Sequence, residues 1–271
     1  MVSIDVIGKA FGLSEKPVLL AGGQGTAYRV GSIVVKPAGN IEEAFWVAEL
    51  FHTMPTTPEV RFPKPVRSVS GNWIEHGFVA WIFMEGEEMG EHYLEKLQAS
   101  RVFHKALKDI SEPAFASLDD SIYAVADRKV WQDTDLNYPE DFLASIKSML
   151  SLVEPVDLPK QLIHGDLCGN IVIHSKLPPA IIDFSPYWRP TAFAEAVMLV
   201  DALAWDRSVK AGELFEIFSS ILHIRQLSLR AVLRRIFIQF EHVSRGSRTR
   251  EKALKEIEVY VKVWREIMKN I

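Results

Sequence analysis

Two short apolar, β-branched runs on either side of a proline-rich turn constrain this chain more than any other stretch. Residues 171–173 and 180–182 flank the turn Lys-Leu-Pro-Pro, a pattern that predicts a pair of strands. The residues with useful chemistry stand just outside the two runs: His164, Gly165, Asp166 and Asn170 before the first, and Asp183 at the end of the second. We therefore expect Asp166, Asn170 and Asp183 to lie toward one end of the pair.

The side chains at these positions suit metal-assisted chemistry. Asn170 and Asp183 carry the oxygen ligands that Mg²⁺ prefers, and Mg²⁺ usually takes its remaining ligands from water and substrate phosphates. Asp166 can orient a substrate hydroxyl and accept its proton. A single Asp beside a strand is usually a turn or capping residue. Two acids and an amide around one hairpin favour a catalytic site instead.

The segment HGDLCGN followed by IIDFSP resembles the aminoglycoside phosphotransferase and choline kinase group, whose members are small-molecule kinases with a protein-kinase-like fold. The resemblance implies a two-lobed α+β fold, with a small antiparallel sheet in residues 1–84 and a larger, mostly helical lobe in residues 85–271. One feature departs from the group. Asn170 follows Asp166 by four positions, whereas many members have five, so this loop is one residue shorter.

A glycine-rich turn between predicted strands near residues 18–20 and 27–30 is the second relevant feature. It is either a plain β-turn or a phosphate-binding loop. The resemblance implies the second interpretation, with Gly23, Gly25 and Thr26 near the nucleotide phosphates. It further implies roles for four residues beyond the turn. Lys36 would hold phosphates close to Asp183, Glu49 would orient Lys36 (Glu42 and Glu43 being weaker alternatives), and the backbone of Met84 and Gly86 would bind adenine.

Together these features predict ATP- and Mg²⁺-dependent transfer of a phosphoryl group to a hydroxyl of a small molecule. The acceptor stays open among aminoglycosides, choline-like amines, sugars and other alcohols. One alternative is a nucleotide-binding protein that has lost turnover, which the short loop after Asp166 supports. A protein kinase is disfavoured because Pro186 and Pro190 follow Asp183 at once and leave no activation segment.

Composition excludes several other classes. The 271 residues are 48% hydrophobic and 24% charged, which is ordinary for a globular protein, and no run of 18 apolar residues predicts a membrane span. Cys168 is the one cysteine, so an internal disulfide is excluded. With no signal-peptide pattern at the start, we expect a cytoplasmic protein. The sequence does not indicate an oligomeric state.

Charge is unevenly distributed, with an acidic excess in residues 1–220 and a basic excess in residues 221–271. The acidic part could attract a cationic substrate and the basic part an acidic partner, or both could be solvated faces. Arginines cluster on one predicted helix of the basic part: Arg225, Arg230, Arg234 and Arg235. We do not expect nucleic-acid binding, because no reader motif accompanies them.

Helical spacing predicts helices near residues 41–52, 91–110, 140–153 and 191–207, and two or three more in residues 211–271. His104 is expected to be structural. Asp201 lies in an apolar helix, so it must be paired, and it could brace the loop that holds Asp166. The segment from Tyr187 to Arg189 could pin a substrate or pack between elements.

Overall fold

The computed structural model describes residues 4–21, 25–88, 90–132 and 134–271. The chain divides into two compact units. The first unit comprises Met1–Glu88 and Asn170–Phe184, and the second comprises Met89–Gly169 and Ser185–Ile271. The predicted boundary at residue 84 lies four residues before the observed one, and the hairpin expected in the second lobe belongs to the first unit.

An antiparallel sheet forms most of the first unit. Its elements are α1 (Ile4–Ala10), β1 (Val18–Leu19), β2 (Tyr28–Val30), β3 (Ile33–Pro37), α2 (Ile41–Thr53), β4 (Pro65–Val66), β5 (Ile74–Glu75) and β6 (Phe78–Ile82). The strands follow the order β1-β2-β3-β6-β4, and β5 also pairs with β6. β6 therefore pairs with three strands, and β3 lies beside it along its whole length.

Alternation along β3 decides which side chains enter the core. Ile33 and Val35 are buried and pack with Val30, Phe11 and Ile7, the last from α1. Burial of side chains of this size contributes about 1.5–3 kcal/mol each, so this cluster holds α1 onto the sheet. Because successive side chains on a strand point to opposite faces, Lys36 lies on the other face from Val35.

A two-stranded hairpin completes the first unit. β8 (Ile171–Val172) pairs antiparallel with β9 (Ala180–Ile181), so the predicted strand pair is confirmed. Isolated bridges join it to the rest of the unit, from Arg61 to Ala180 and from Glu87 to Ile173. These bonds tie the hairpin to the segments that follow α2 and β6.

Helices dominate the second unit. Its elements are α3 (Tyr93–Ala106), a 3₁₀ turn (Ala114–Ser117), α4 (Ile122–Val130), α5 (Glu140–Leu150), β7 (Gln161–His164), β10 (Pro186–Arg189), α6 (Thr191–Trp205), α7 (Ala211–Ile217), α8 (Ile224–Ser244) and α9 (Arg250–Asn270). β7 and β10 pair antiparallel, with His164 opposite Pro186. This pair anchors both ends of the 164–186 segment.

α6 and α8 form the centre of the second unit, and both are buried on most of their surface. Each acid buried in α6 has an arginine partner. Glu195 receives two hydrogen bonds from Arg101, at 2.9 and 3.0 Å, and Asp201 is bound by Arg235 of α8. Pairing is what makes these buried charges tolerable, and it holds α6 against α3 and α8.

The expected α+β class is confirmed, with an antiparallel sheet in the first unit and helices in the second. Four elements were not predicted. Strand β4 lies in a proline-rich segment, and β7 and β10 are short strands whose pairing partners are distant in sequence. The fourth is helix α4, whose N-cap is Ser121, and the Ser121 hydroxyl accepts a hydrogen bond from the Ala124 N–H.

Candidate functional site

The open end of the β8–β9 hairpin brings Asn170 and Asp183 together. Asn170 directly precedes β8, and its carbonyl accepts a 2.9 Å hydrogen bond from the N–H of Ile182. Asp183 is the next residue and has a φ of +51°, a conformation uncommon for a residue with a Cβ. A held backbone of this kind is typical of functional positions. The side chain of Asp183 is 56% exposed, which leaves it accessible to ligands.

Lys36, on the antiparallel sheet of the first unit, contacts the carboxylate of Asp183. It lies on β3 opposite Val79 of β6, and its Nζ donates a hydrogen bond to Asp183 Oδ1. The two side chains are 30% and 56% exposed, and ion pairs in such settings contribute about 0–1 kcal/mol to stability. The pair therefore adds little to the stability of the fold.

Glu49 does not form the contact that the resemblance implies. Its carboxylate accepts a hydrogen bond from Trp73 Nε1 and lies 3.5 Å from Arg67 Nη2. The Arg67 guanidinium in turn lies 3.7 Å from the centroid of the Trp73 ring. Glu49 is thus held by two neighbours from the β4–β5 region, and Lys36 pairs with Asp183 instead.

The glycine-rich turn is described only at its far end. Gly23 lies outside the described residues. Gly25 has a φ of +65°, and no described atom outside the adjacent residues lies within 4 Å of the place where a Cβ would stand. Thr26 follows in an exposed, irregular segment before β2. Both residues precede the strand that pairs with β3, which carries Lys36.

In the segment after β6, residues with backbone hydrogen bonds flank residues whose backbone groups have none in the described part of the chain. Phe83 N–H donates to Ser32 O at 2.9 Å, and Glu87 exchanges two 2.9 Å hydrogen bonds with Ile173. Between these anchors, the backbone groups of Met84 and Gly86 have no hydrogen-bond partner in the described part of the chain.

Gly86 could not be replaced without rearrangement, because a Cβ there would lie 2.9 Å from Ile173 O. The anchors on both sides thus fix a short strip of backbone whose donors and acceptors are available to a ligand.

In the second unit, Asp166 follows directly after β7. His164 is fully buried, and its Nδ1 accepts a 3.2 Å hydrogen bond from the Asp166 N–H. Gly165 N–H donates to Ser185 O at 3.0 Å, and Gly165 O accepts from Arg234 Nη1 at 2.9 Å. Together these hydrogen bonds fix the direction in which the Asp166 side chain leaves the strand.

The glycine before Asp166 is required by packing. A Cβ at Gly165 would lie 2.6 Å from Tyr187 Cε2 and closer still to Cδ2. Tyr187 belongs to β10, and its ring lies 4.5 Å from the guanidinium carbon of Arg234. The His-Gly-Asp order therefore reflects close contact between β7 and the Tyr187 ring.

His104 supports the same loop from α3. Its Nε2 accepts a 3.1 Å hydrogen bond from the His164 N–H, and its Nδ1 lies 3.3 Å from Ser100 Oγ. Burial, together with the nearby His164, lowers the pKa of His104 to about 3, so its ring is neutral. The neutral ring can then accept the backbone hydrogen bond.

Arg235 binds the Asp166 carboxylate. Its Nη2 donates to Asp166 Oδ1 at 2.7 Å, while its Nε donates to Asp201 Oδ1 at 2.9 Å. Partial burial opposes ionisation of Asp166, but the charge and hydrogen bond of Arg235 outweigh it. With smaller contributions from Arg234 and His164, they lower the pKa of Asp166. The carboxylate is thus held ionised.

Sequence reasoning missed Arg235, which it grouped with a basic surface. In the structure Arg230 and Arg234 are 4% and 2% exposed, so the arginine cluster of α8 is largely internal. The signal that could have identified Arg235 was Asp201, an acid in an apolar helix that needed a cationic partner. Arg189 is also buried and donates to Asp127 Oδ2 at 2.7 Å, which favours packing over substrate contact.

The described residues contain no group of three or more His, Cys, Asp or Glu arranged to bind a metal ion. Within the same residues, no helix combines the length and the apolar character needed to span a membrane.

Comparison with known proteins identifies the fold. No family model matches the sequence, and no curated protein matches it. Among solved structures, a spectinomycin phosphotransferase bound to ADP and spectinomycin has a TM-score of 0.58 at 14% identity, over 98% of this chain and 97% of that one. An aminoglycoside phosphotransferase from Alicyclobacillus acidocaldarius has a TM-score of 0.56 at 15% identity, over 99% and 94%.

A choline kinase from Streptococcus pneumoniae has a TM-score of 0.61 at 11% identity, over 96% of this chain and 97% of that one. These likenesses extend over nearly the whole length of each chain. The chain therefore has the protein-kinase-like fold of the aminoglycoside phosphotransferases and choline kinases, as the motif in residues 162–190 indicates.

Proposed function

We propose that this protein is an ATP- and Mg²⁺-dependent phosphotransferase whose acceptor is a hydroxyl group of a small molecule. The observation that carries the proposal is the meeting of Lys36 with Asp183 beside Asn170, in a chain with a small-molecule kinase fold. Two structures of this fold were solved with ADP and with AMP-PNP, which supports a nucleotide as the donor.

The first unit would bind the nucleotide. Gly23, Gly25 and Thr26 would lie against the phosphates, and the backbone of Met84 and Gly86 would bind adenine. Lys36 would hold phosphate oxygens once released from Asp183. An ammonium group and a carboxylate that already meet are suited to a phosphate and its metal ion.

The residues present fit a magnesium ion. Asn170 and Asp183 supply oxygen donors from one end of a hairpin, and Mg²⁺ commonly uses one or two carboxylates together with substrate phosphates. Asp183 is accessible, with 56% of its side chain exposed. The ion would neutralise charge that develops on the transferred phosphoryl group. Asp166, held ionised by Arg235, would orient the acceptor hydroxyl.

The chain after Asp183 supports a small acceptor rather than a protein. Strand β10 begins at Pro186 and helix α6 at Thr191. This leaves no long segment of the kind that protein kinases use to bind a peptide substrate.

Two substitutions test the proposed roles, with Asp109→Ala as control because the Asp109 side chain is 88% exposed. Asp166→Ala should leave ATP affinity near the wild-type value and reduce phosphoryl transfer by about a thousandfold, the scale of losing a central catalytic group. Asp183→Ala should weaken Mg²⁺-nucleotide binding, measured by calorimetry. Equal turnover in Asp166→Ala and wild type would remove Asp166 from the mechanism.

A nucleotide-binding protein without turnover is the second candidate, favoured by the four-position spacing of Asp166 and Asn170. The deciding assay supplies γ-labelled ATP, Mg²⁺ and a panel of acceptors that includes an aminoglycoside, choline, sugars and amino alcohols. Labelled product above the Asp166→Ala background supports the enzyme. Nucleotide binding with no labelled product across the panel supports the second candidate.

A further inference from the structure

Arg235 connects two carboxylates that lie on different elements of the second unit. Its guanidinium contacts Asp166 through Nη2 and Asp201 through both Nε and Nη2. Arg235 and Asp201 are nearly buried, with side chains 16% and 7% exposed, whereas Asp166 is 42% exposed. One planar group thus joins an internal acid on α6 to the accessible acid after β7.

The contact between Arg235 and the partly exposed Asp166 adds little to the stability of the fold. Asp201 alone would neutralise Arg235, and a second, half-exposed carboxylate is worth little in stability. A planar guanidinium held at two nitrogens by Asp201, however, has a fixed orientation, and it imposes that orientation on a second carboxylate bound to it. The contact with Asp166 is therefore suited to holding a side chain in place.

In the described part of the chain, other charged or titratable groups that act on Asp166, Asp201 or Arg235 lie on α8, β7, β10 and α9. Arg234 of α8 and His164 of β7 act on Asp166, and Tyr187 of β10 lies within electrostatic range of Asp166. Tyr260 of α9 lies near Asp201 and Arg235. Arg234 also pairs with an acid, since its Nε lies 3.6 Å from Asp127 Oδ1, but the charge and hydrogen bond of Arg235 act on Asp166 more strongly than Arg234 does. Removal of Arg235 should therefore change the Asp166 carboxylate most.

We propose that Arg235 is a positioning residue that fixes the Asp166 carboxylate for the acceptor hydroxyl, and that Asp201 acts through Arg235 by fixing the guanidinium. This inference rests on the proposed function, in which Asp166 orients the acceptor. It assigns a role in the site to Asp201 of α6 and Arg235 of α8, which lie outside the motif in residues 162–190.

The kinetic test compares Arg235→Met, Arg235→Lys and Arg225→Met, the last an exposed arginine on the same helix that serves as control. Arg235→Met should lower kcat by about a hundredfold, the scale of a misplaced reacting group, with the KM for ATP nearly unchanged. Arg235→Lys keeps the charge but not the planar fork, so it should lose about tenfold. A change in KM for ATP with kcat retained would overturn the proposal.

The pH profile separates positioning from general loss of structure. Activity requires ionised Asp166, which exists above its pKa. Without Arg235, burial of Asp166 is no longer outweighed, so its pKa should rise and the acidic limb of kcat should move to higher pH. Arg225→Met should keep the wild-type limb. An acidic limb that stays in place in Arg235→Met contradicts the assignment.

A double substitution separates activity from stability. Arg235→Met leaves Asp201 buried without a cationic partner and should lower the Tm. Adding Asp201→Asn removes that charge, so the double variant should recover much of the Tm but none of the kcat. Recovery of kcat together with Tm would show a structural role only.

A measurement without turnover distinguishes this inference from the proposed function. The carboxyl ¹³C signal of Asp166, assigned by its loss in Asp166→Asn, can be titrated in wild type and Arg235→Met. The midpoint should lie below the ordinary aspartate value in wild type and rise in the variant. If it rises while the acceptor panel yields no product, the proposed function fails and the control of Asp166 by Arg235 stands. Equal midpoints overturn the inference even if transfer is found.

Discussion

Replacing His104 by glutamine should remove a defined part of the acid sensitivity of this protein. His104 lies on α3 and is buried, and its Nε2 accepts the hydrogen bond from the His164 N–H. The amide oxygen of glutamine can accept the same bond but cannot take up a proton in this pH range. The substitution therefore separates the titration of the ring from its hydrogen bond.

The magnitude follows from the two pKa values. In the folded protein the pKa of His104 is lowered to about 3 from 6.5 in the unfolded chain. Below pH 6.5 the unfolded chain binds a proton that the folded chain excludes, so stability is present above the unfolded pKa and falls as pH falls. Between about pH 7.5 and pH 5, this one group should cost about 2 kcal/mol of unfolding free energy.

Urea unfolding of wild type and His104→Gln near both pH values provides the assay. On acidification, the unfolding free energy of the wild type should fall by about 2 kcal/mol more than that of the variant. Other titrating groups contribute equally to both proteins, so they cancel in this difference. His52→Gln, at an exposed histidine, controls for loss of a histidine in general. Parallel pH dependence of wild type and His104→Gln would refute the reasoning, because it would mean that His104 is not held neutral.

Two further outcomes are expected. Gly165→Ala should destabilise the protein by about 1–3 kcal/mol in urea unfolding and lower transfer activity, because its Cβ would overlap the Tyr187 ring; unchanged stability would mean that the ring moves freely. Glu49→Gln should leave ADP affinity within about twofold in calorimetry, and cost about 1 kcal/mol of stability by weakening the contacts with Trp73 and Arg67. A large loss of affinity in Glu49→Gln would instead restore the pairing with Lys36 that the resemblance implies.

Local patterns in the sequence were sufficient for the fold class and for part of the site. The β-branched runs of residues 171–173 and 180–182 predicted the hairpin, and with it the shared location of Asn170 and Asp183. Helical spacing predicted most helices to within a few residues. These features depend on neighbours close in sequence, and for that reason they can be identified from one chain.

The partners of charged side chains were not predictable in the same way. Asp201 was expected to be paired, but its partner lies 34 residues away on another helix, and nothing local distinguishes Arg235 from the neighbouring arginines. The same holds for Glu49, whose helix position was predicted while its contacts with Trp73 and Arg67 were not.

What the amino-acid sequence alone determined is therefore the set of chemical groups near residues 162–190 and the elements that carry them. The tertiary structure decided which acid each cation meets: Asp183 for Lys36, and both Asp166 and Asp201 for Arg235. The physical reason is that hydrophobic periodicity specifies an element and its buried face, whereas an ion pair depends on the separation and orientation of side chains brought together by packing.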